Sequence, residues 1–195
     1  MRLILSIRSY DWIDYTAGLI LSESDIYHVM ILLKDDDGSM CDCKNFCSQA
    51  IYEQRKFDLF NVGKKLGVKK LINLGYDADE IDINKLTSQL QLYLMLSGVN
   101  EVYCQYSLPI LEILKNICNK LNIKLYFYNI EDRKDEYLMV VGKEIRLSND
   151  IINIKNNLSN LTIGRYTIVV NNETKERFYY IYKELNNGTN KCNNN

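Results

Sequence analysis

Histidine, proline and tryptophan are nearly absent from this chain of 195 residues, which contains one of each. The single histidine, His28, lies in an apolar stretch, so a site that needs two imidazole groups of this chain is excluded. The single proline, Pro109, falls at the start of a predicted helix, where its missing amide donor costs little. An excess of charge is lacking as well, because 24 basic and 25 acidic residues leave a formal net charge of -1. Such a balance provides no broad electrostatic surface for nucleic acid or for an anionic membrane.

The sequence also has little that would direct the protein to a membrane. Its apolar start, MRLILSI, is interrupted by Arg8 and Asp11 before it could serve as a signal peptide. No uninterrupted apolar stretch is long enough to span a bilayer. The six cysteines are spread along a chain without a secretion signal, which favours reduced thiols. We therefore expect a cytoplasmic protein with neither a nucleic-acid nor a membrane partner.

Apolar runs of strand length alternate with segments of helical period along most of the chain. The predicted strands are Leu3–Ile7, Ile26–Leu33, Lys70–Leu74, Glu101–Tyr106, Ile123–Tyr128 and Glu136–Val141. This alternation predicts a Rossmann-like, doubly wound and mainly parallel sheet, with the carboxyl ends of its parallel strands at one edge. Two helices are predicted to turn an apolar stripe toward the sheet. The stripes are Ile110, Leu111, Leu114, Ile117, Cys118 and Leu121 in one helix, and Ala50, Phe57, Phe60 and Val62 in the other.

The last part of the chain carries a different pattern. Two alternating stretches, Tyr166–Val170 and Arg177–Tyr182, flank the sequence NNET and predict a C-terminal β-hairpin. The hairpin is rich in aromatic residues, so we expect its exposed edge to bind a second copy of the chain or another protein. Residues 1–185 are predicted to form one domain. The Asn-rich tail 186–195 has almost no apolar residues and is expected to be disordered.

The junction after the first predicted strand reads RSYDW, residues 8–12. In an α/β protein, the loops at the carboxyl ends of parallel strands border the ligand-binding crevice. One interpretation is that Arg8 pairs with Asp11 in a charge-assisted contact that holds this crevice together. The other is that Tyr10 and Trp12 simply pack beneath a neighbouring loop.

The order of these segments resembles the LmbE/PIG-L family, the zinc-dependent deacetylases of N-acetylglucosamine-type sugars. The most specific portion is RKFDLFNVGKKLGVKKLINLGYDADEIDINKL, residues 55–86, which is similar to the arginine-led helix, LGV turn, strand and LGYPDGEL loop of the family. Four further segments resemble other family elements in the correct order. They are YHVMILLKDDDGS (second strand and TDGE loop), NEVYCQY (fourth strand), RLSNDIINIKNNLSNL (late strand and helix) and KERFYYIYKE (closing strand). The resemblance covers residues 1–185.

The resemblance breaks at the residues that would bind zinc. The family motif HPDDE, in which the His and the second Asp bind zinc and the first Asp is the general base, falls on RSYDW. Arg8 then stands at the zinc-binding His and Tyr10 at the base, and only Asp11 is retained. The family motif HPDH falls on LPIL, with Leu108 and Leu111 at its two histidines. A guanidinium repels a metal cation, and a phenol with a pKa near ~10 is a poor base at neutral pH. The resemblance therefore implies no zinc, no other cofactor and no catalytic residue.

Eight residues are candidates for lining the crevice that such a protein would retain. They are Arg8, Tyr10, Asp11, Trp12, Asp36, Arg55, Tyr76 and Tyr106. The leading hypothesis is a pseudoenzyme that binds a sugar-like ligand or a protein partner. The rival hypothesis is a carbohydrate N-deacetylase or other amide hydrolase with a remodelled site, which is metal-independent or uses a hard cation on Asp11 and Asp35–Asp37. A third is a purely structural or oligomerisation module.

One acidic cluster and one cysteine cluster could each be considered as a metal site, but each also has a simpler interpretation. The run Asp35–Asp37 is followed by glycine, a pattern typical of a solvated turn. Cys41, Cys43 and Cys47 lie close together but lack a CxxC pair and a nearby histidine, so their spacing does not indicate a zinc site by itself.

Overall fold

The computed structural model describes residues 1–34, 44–77, 79, 81–130, 137–158 and 174–184. The strands are β1 (Arg2–Ser6), β2 (Tyr27–Leu33), β3 (Lys70–Tyr76), β4 (Glu101–Gln105), β5 (Lys124–Tyr128), β6 (Tyr137–Arg146) and β7 (Lys175–Glu184). The helices are α1 (Asp11–Ser22), α2 (Lys44–Leu66), α3 (Ile83–Ser97), α4 (Leu108–Leu121) and α5 (Asn149–Leu158).

The strands form one sheet in the order β3-β2-β1-β4-β5-β7-β6. The first five are parallel, while β7 runs antiparallel to both β5 and β6. This confirms the prediction of a doubly wound, mainly parallel sheet. The central strand β1 is apolar and buried along most of its length, as expected for a strand covered on both faces. The strand order reverses at β1, so the carboxyl ends of β1 and β4 flank the crevice where doubly wound folds bind ligands.

Helices cover both faces of the sheet and form two apolar cores. One core contains buried residues of α3 and α4, including Leu86, Leu90 and Leu114. The other contains buried residues of α1 and α2, including Trp12 and Leu59. The predicted stripe of α4 is confirmed, since Ile110, Leu111, Leu114, Ile117 and Cys118 are buried and Leu121 packs against them half-buried.

The predicted sheet-facing stripe of α2 is wrong in part. Phe57 and Phe60 are 58% and 60% exposed, whereas Leu59, Val62 and Leu66 are buried. The three buried residues lie within one narrow sector of the helix at spacings of three and four, and the two phenylalanines lie on the opposite side. Apolar residues occur on both sides of this helix, so the sequence pattern alone did not show which side faces the sheet. The side chain of Ala50 is outside the described part.

Strand β7 includes Arg177–Tyr182, the predicted second strand of the hairpin, but it lies between β5 and β6 rather than at the edge of the sheet. Its described partners are β5, at Phe127 and Tyr179, and β6 over nearly its whole length. The proposed first strand of the hairpin, 166–170, lies outside the described residues, as does the tail 186–195. Within the described sheet the edge strands are β3 and β6, so β7 does not offer the free edge on which the expected oligomerisation was based. No helix in the described ranges is both long and apolar enough to cross a membrane.

Candidate ligand-binding crevice

The carboxyl end of β1 is tied to its neighbours on both sides. On one side, the carbonyl oxygen of Ile7 accepts a hydrogen bond from the amide of Leu33 at 3.0 Å. On the other side, the amide of Ile7 donates to Oε1 of Gln105, the last residue of β4, also at 3.0 Å. The loop from Ile7 to Tyr10 is thus held to both neighbouring strands before α1 begins at Asp11.

Gln105 is the residue that organises the crevice. Besides accepting from Ile7, its Nε2 donates to Oδ2 of Asp11 at 2.6 Å, and the side chain is buried. The backbone amide can only donate and an ionised carboxylate can only accept, so these partners determine which end of the glutamine amide faces each of them. A hydrogen bond to a carboxylate is stronger than one between neutral groups. This contact therefore positions the Asp11 carboxylate at the start of α1.

The predicted pairing of Arg8 with Asp11 is wrong. Both residues lie in the described part of the chain, and no ion pair joins them there, since Arg8 is exposed and Asp11 is held by Gln105. The loop turns Arg8 outward, and the hydroxyl of Ser6 donates to its carbonyl oxygen at 2.7 Å. A guanidinium that stays in water avoids the large cost of desolvation, which accounts for this arrangement.

Tyr10 and Trp12 pack into the core, as the second interpretation of RSYDW expected. Trp12 is fully buried and Tyr10 is 8% exposed, and both belong to the core on the α1 and α2 side of the sheet. The indole Nε1 of Trp12 donates to the carbonyl oxygen of Ser9 at 2.9 Å, so its polar atom is satisfied inside the core. These two aromatic side chains stabilise the loop and leave little of their own surface for a ligand.

The residues of this crevice do not fit a catalytic zinc ion. Such an ion normally takes three protein ligands and keeps one position open for water. Here Leu111 is fully buried against the sheet, Leu108 is half-buried, and Arg8 carries a permanent positive charge. Of the described residues at the aligned zinc-binding positions, Asp11 alone carries a carboxylate, and it accepts a hydrogen bond from Gln105. Over the described ranges, no group of three or more His, Cys, Asp and Glu residues is placed to hold a metal ion.

Tyr76 and Tyr106 stand at strand ends, but they are not neighbours. The Tyr76 hydroxyl donates to Oε1 of Gln89 at 2.7 Å, and Lys85 lies 5.9 Å from its ring centroid. Tyr106 is half-buried and makes an edge-to-face contact with Phe127. Their strands, β3 and β4, are three strand spacings apart, or about 14 Å. A ligand that touches both would have to cross the ends of β2 and β1.

The remaining sequence candidates lie partly or wholly outside the described residues. Asp36, the rest of the run Asp35–Asp37, Cys41 and Cys43 are outside them. Arg55 and Cys47 belong to α2, but their side chains are outside the described part. Asp58, also on α2, is buried and accepts from Nε2 of Gln54 at 2.9 Å. His28 is half-buried in β2 beside the Tyr93 hydroxyl.

Sequence reasoning missed Gln105 and a buried ion pair behind the crevice. Gln105 is the polar residue that ends an apolar strand at the predicted edge, and this position could have drawn attention to it. The ion pair joins Lys155 of α5 to Glu176 of β7, with Nζ and Oε1 2.8 Å apart and both side chains under 5% exposed. Nothing local in the sequence indicates that these two residues meet.

Glu176 inserts its carboxylate into the hydrogen-bond ladder of α1. Its two oxygens accept from the amides of Gly18 and Leu19, each at 2.8 Å. Lys155 in turn donates to the carbonyl oxygen of Asp14, also at 2.8 Å. Residue 18 must be glycine for this approach, because a Cβ there would lie 2.1 Å from Leu147 Cδ2 and 2.8 Å from Glu176 Cδ. The helix that begins at Asp11 is thereby anchored to α5 and β7.

Two carboxyl groups in this region have shifted pKa values. Burial raises the pKa of Asp14 to about 7, with the nearby Lys155 opposing the shift and Asp11 adding to it. Burial also raises the pKa of Glu176 above its usual range, against the opposing effect of Lys155 and of the two backbone amides. Titration in this cluster should therefore affect how firmly α1 is held.

Comparison with known proteins shows a shared fold at low sequence identity. No protein-family model and no curated protein matches the sequence. An N,N'-diacetylchitobiose deacetylase from Pyrococcus horikoshii is similar over 87% of this chain and 72% of its own, with a TM-score of 0.62 and 13% identity. A teicoplanin deacetylase is similar over 83% and 84% of the two chains, with a TM-score of 0.63 and 7% identity.

A third neighbour is a hydratase. The 4-carboxy-2-hydroxymuconate hydratase from Pseudomonas putida is similar over 84% of this chain and 79% of its own, with a TM-score of 0.58 and 13% identity. Among the neighbours, the deacetylases are of LmbE/PIG-L type, the family that the sequence resembles. At these identities the comparisons show that the chain has the Rossmann-like fold of these proteins. Because that fold carries both deacetylases and a hydratase, the chemistry must be argued from the crevice itself.

Proposed function

We propose that this chain is a catalytically inactive relative of the LmbE/PIG-L deacetylases that acts by binding. The observation that carries the proposal is the set of residues at the aligned zinc and base positions, where Arg8 and Tyr10 stand in place of the histidine and the base and Asp11 is hydrogen-bonded to Gln105. The shared fold and the order of family-like segments support the relationship. We also propose that the protein works in the cytoplasm, an inference from the sequence alone.

The chemistry of deacetylation explains why these changes matter. A catalytic zinc ion lowers the pKa of its bound water to near neutrality and so provides a hydroxide nucleophile. The aligned zinc-binding position holds the exposed Arg8, and the aligned base position holds the buried Tyr10. A buried phenol does not accept a proton from water at neutral pH. Arg8 and Tyr10 therefore provide neither a metal ligand nor a base at the aligned positions.

A protein partner is the occupant that the crevice geometry favours. Tyr10, Trp12 and Leu111 are buried in the core, so they do not line an open sugar-sized space. The exposed Arg8 and the ion pair of Lys34 with Asp77, at 2.8 Å, lie on the rim and are accessible to a partner surface. A sugar-like ligand is the second candidate, supported by the diacetylchitobiose deacetylase among the structural neighbours.

The proposal is tested by measuring bound metal and acetate release on the full chain. We expect no acetate release from N-acetylglucosamine-type substrates, with or without added zinc, and no stoichiometric zinc once Cys41, Cys43 and Cys47 are changed to serine. The cysteine variant separates zinc held by thiolates from zinc held in the crevice. Zinc that survives these substitutions, together with acetate release abolished by Asp11→Ala, would establish a working hydrolase and overturn the proposal.

A gain-of-function variant tests the alignment on which the proposal depends. The combination Arg8→His, Tyr10→Asp and Leu111→His introduces two imidazoles and one carboxylate. These are the groups that the family has at the aligned zinc-site and base positions. Burying new polar groups at positions 10 and 111 should destabilise the protein by a few kcal/mol. Zinc should then raise the melting temperature of this variant and leave that of the wild type unchanged. Equal zinc responses in both proteins would show that the alignment is wrong.

A further inference from the structure

Strand β3 is an edge strand of the described sheet, with β2 as its one neighbour there. The amide of Lys69 donates to the carbonyl oxygen of Tyr27 at 2.9 Å, so the backbone groups of Lys69 and of every second residue after it point toward β2. The backbone groups of Lys70, Ile72 and Leu74 therefore point outward. A row of outward N–H and C=O groups is a template for pairing with another strand.

The middle of this edge carries none of the features that usually prevent strand pairing. Native edge strands are commonly protected by lysine, by proline or by a bulge. Strand β3 reads KLINLGY, with no proline and with its single charged residue, Lys70, at the first position. The irregularity in its register with β2 lies at the other end, beyond Asn73. The stretch between these two ends is apolar apart from Asn73 itself.

One side of α3 lies beside this edge and continues it with exposed apolar side chains. Lys85 lies 5.9 Å from the ring centroid of Tyr76 in β3, and Gln89 accepts from the Tyr76 hydroxyl at 2.7 Å. Leu92 and Leu96 follow Gln89 at spacings of three and four residues, which places them on the same side of the helix. They are 60% and 77% exposed.

The lack of charge on this surface favours a second copy of this chain over an acidic or basic partner. Within α3, Lys85 is the one charged residue, and Met95 adds another apolar side chain that is 59% exposed. A helix that is apolar on its outer as well as its inner face is normally covered. A strand edge and an uncharged helix face can each meet their own equivalents about a two-fold axis, as an isologous dimer requires.

We propose that two copies of this chain pair through the edge of β3 and the exposed side of α3. Strand β3 runs antiparallel to its equivalent, with the two-fold axis at Ile72, so that Lys70 lies opposite Leu74 and the two lysines lie at opposite ends of the pair. Facing residues in such a pair exchange both of their backbone hydrogen bonds. The exposed leucines of the two α3 helices then face each other across the axis.

The interface is small and is separate from the crevice. One short strand and a few side chains correspond to the low end of specific interfaces, below about 1,200 Å² in total, where association is weak and reversible. Arg8, Asp11 and Gln105 are not part of it. The proposal therefore does not depend on the loss of deacetylase activity.

Sedimentation of the full chain over a wide range of concentration tests for the dimer. We expect a reversible monomer–dimer equilibrium with a dissociation constant in the micromolar range. Amide hydrogen exchange locates the interface in the same samples. Exchange at Ile72 and Leu74 should slow as the protein concentration rises, whereas exchange in β6, the other edge strand of the described sheet, should not depend on concentration.

Leucine variants test the helix side of the interface. Leu92→Glu and Leu96→Glu each place a charge opposite its own equivalent, and each should weaken the dimer by about tenfold or more. The matched control is Phe57→Glu, because Phe57 is 58% exposed and lies on α2, on the other face of the sheet. This control should leave the equilibrium unchanged.

Proline tests the strand side. Lys70→Pro removes an outward amide without removing a hydrogen bond to β2, so the protein should keep its circular dichroism spectrum while the dimer weakens by about tenfold. Lys70→Ala keeps the amide and should dimerise like the wild type. A monomer at every concentration, exchange at Ile72 and Leu74 that does not depend on concentration, or wild-type affinity in both leucine variants or in Lys70→Pro would each overturn the proposal.

Discussion

Gln105 and Asp11, 94 residues apart in the chain, are joined by a 2.6 Å hydrogen bond from the glutamine amide to the aspartate carboxylate. The same glutamine accepts from the backbone amide of Ile7 at 3.0 Å. One side chain thus connects the end of β4, the end of β1 and the first residue of α1. It also donates to the carboxylate that the family resemblance aligns with a zinc ligand.

Replacing Gln105 by leucine should destabilise the protein. The substitution leaves the Ile7 amide and the Asp11 carboxylate without this partner, and an unsatisfied buried polar group costs about 1–3 kcal/mol. The free energy of unfolding from urea denaturation should fall by that amount. The matched control is Gln89→Leu, an exposed glutamine whose side chain accepts from Tyr76, which should change stability by less than about 0.5 kcal/mol. Equal effects of the two substitutions would show that the two hydrogen bonds of Gln105 contribute no more to the free energy of unfolding than the single exposed bond of Gln89.

Gly18→Ala should destabilise the protein even though alanine is the better helix former. A Cβ at this position meets Leu147 Cδ2 at 2.1 Å and Glu176 Cδ at 2.8 Å, and such overpacking costs about 1–3 kcal/mol. Thermal unfolding measures the loss.

The control for this substitution is Gly63→Ala in α2. A Cβ there would meet its nearest atom, Leu71 Cδ1, at 3.4 Å, so the helix propensity of alanine should dominate. We expect Gly63→Ala to be neutral or to stabilise by up to about 1 kcal/mol. A Gly18→Ala variant as stable as Gly63→Ala would contradict the insertion of Glu176 into α1.

Lys155→Met should destabilise the protein strongly and in a pH-dependent way. The methionine fills much of the same space but leaves the Glu176 carboxylate buried without its cation, which costs about 3–5 kcal/mol for a buried pair. Burial already raises the pKa of Glu176, and losing the opposing effect of Lys155 raises it further. A raised carboxyl pKa makes the folded state more stable at low pH and less stable as pH rises above the unfolded-state value.

The loss in Lys155→Met should therefore be smaller at pH 4 than at pH 8, as measured by denaturant titration at both values. The double variant Lys155→Met with Glu176→Gln removes the buried charge and should recover part of the stability at pH 8. A loss that is equal at both pH values, with no recovery in the double variant, would contradict the role of the buried pair.

Asp14→Asn should stabilise the protein at pH 8 relative to the wild type and have little effect near pH 4. Burial raises the pKa of Asp14 to about 7, so its charged form disfavours folding, and stability is lost as pH rises from about 4 toward 7. After allowance for its partial exposure, the gain at pH 8 should be on the order of 1 kcal/mol. Thermal unfolding at both pH values measures it. A gain of equal size at pH 4 would exclude titration as its cause.

The sequence by itself determined the class of fold and the absence of a second histidine. Each parallel strand is a short apolar run, and the segments between them have a helical period. The alternation of strands and helices along the chain, from β1 to β5, therefore follows from local patterns. One histidine in the whole chain excludes a site that needs two, whatever the fold. The core positions of Tyr10 and Trp12 were one of two interpretations that the sequence left open.

Only the tertiary structure decided which polar side chains meet. Gln105 reaches Asp11 across 94 residues, and Glu176 reaches Gly18 across 158. It also decided that Arg8 stays in solvent, that Leu59 rather than Phe57 faces the sheet, and that β7 lies between β5 and β6. Apolar periodicity is a property of neighbouring residues, whereas the partner of a buried polar group depends on how distant elements pack. The sequence therefore predicts the layers of this protein, and the polar contacts of the crevice arise only when those layers come together.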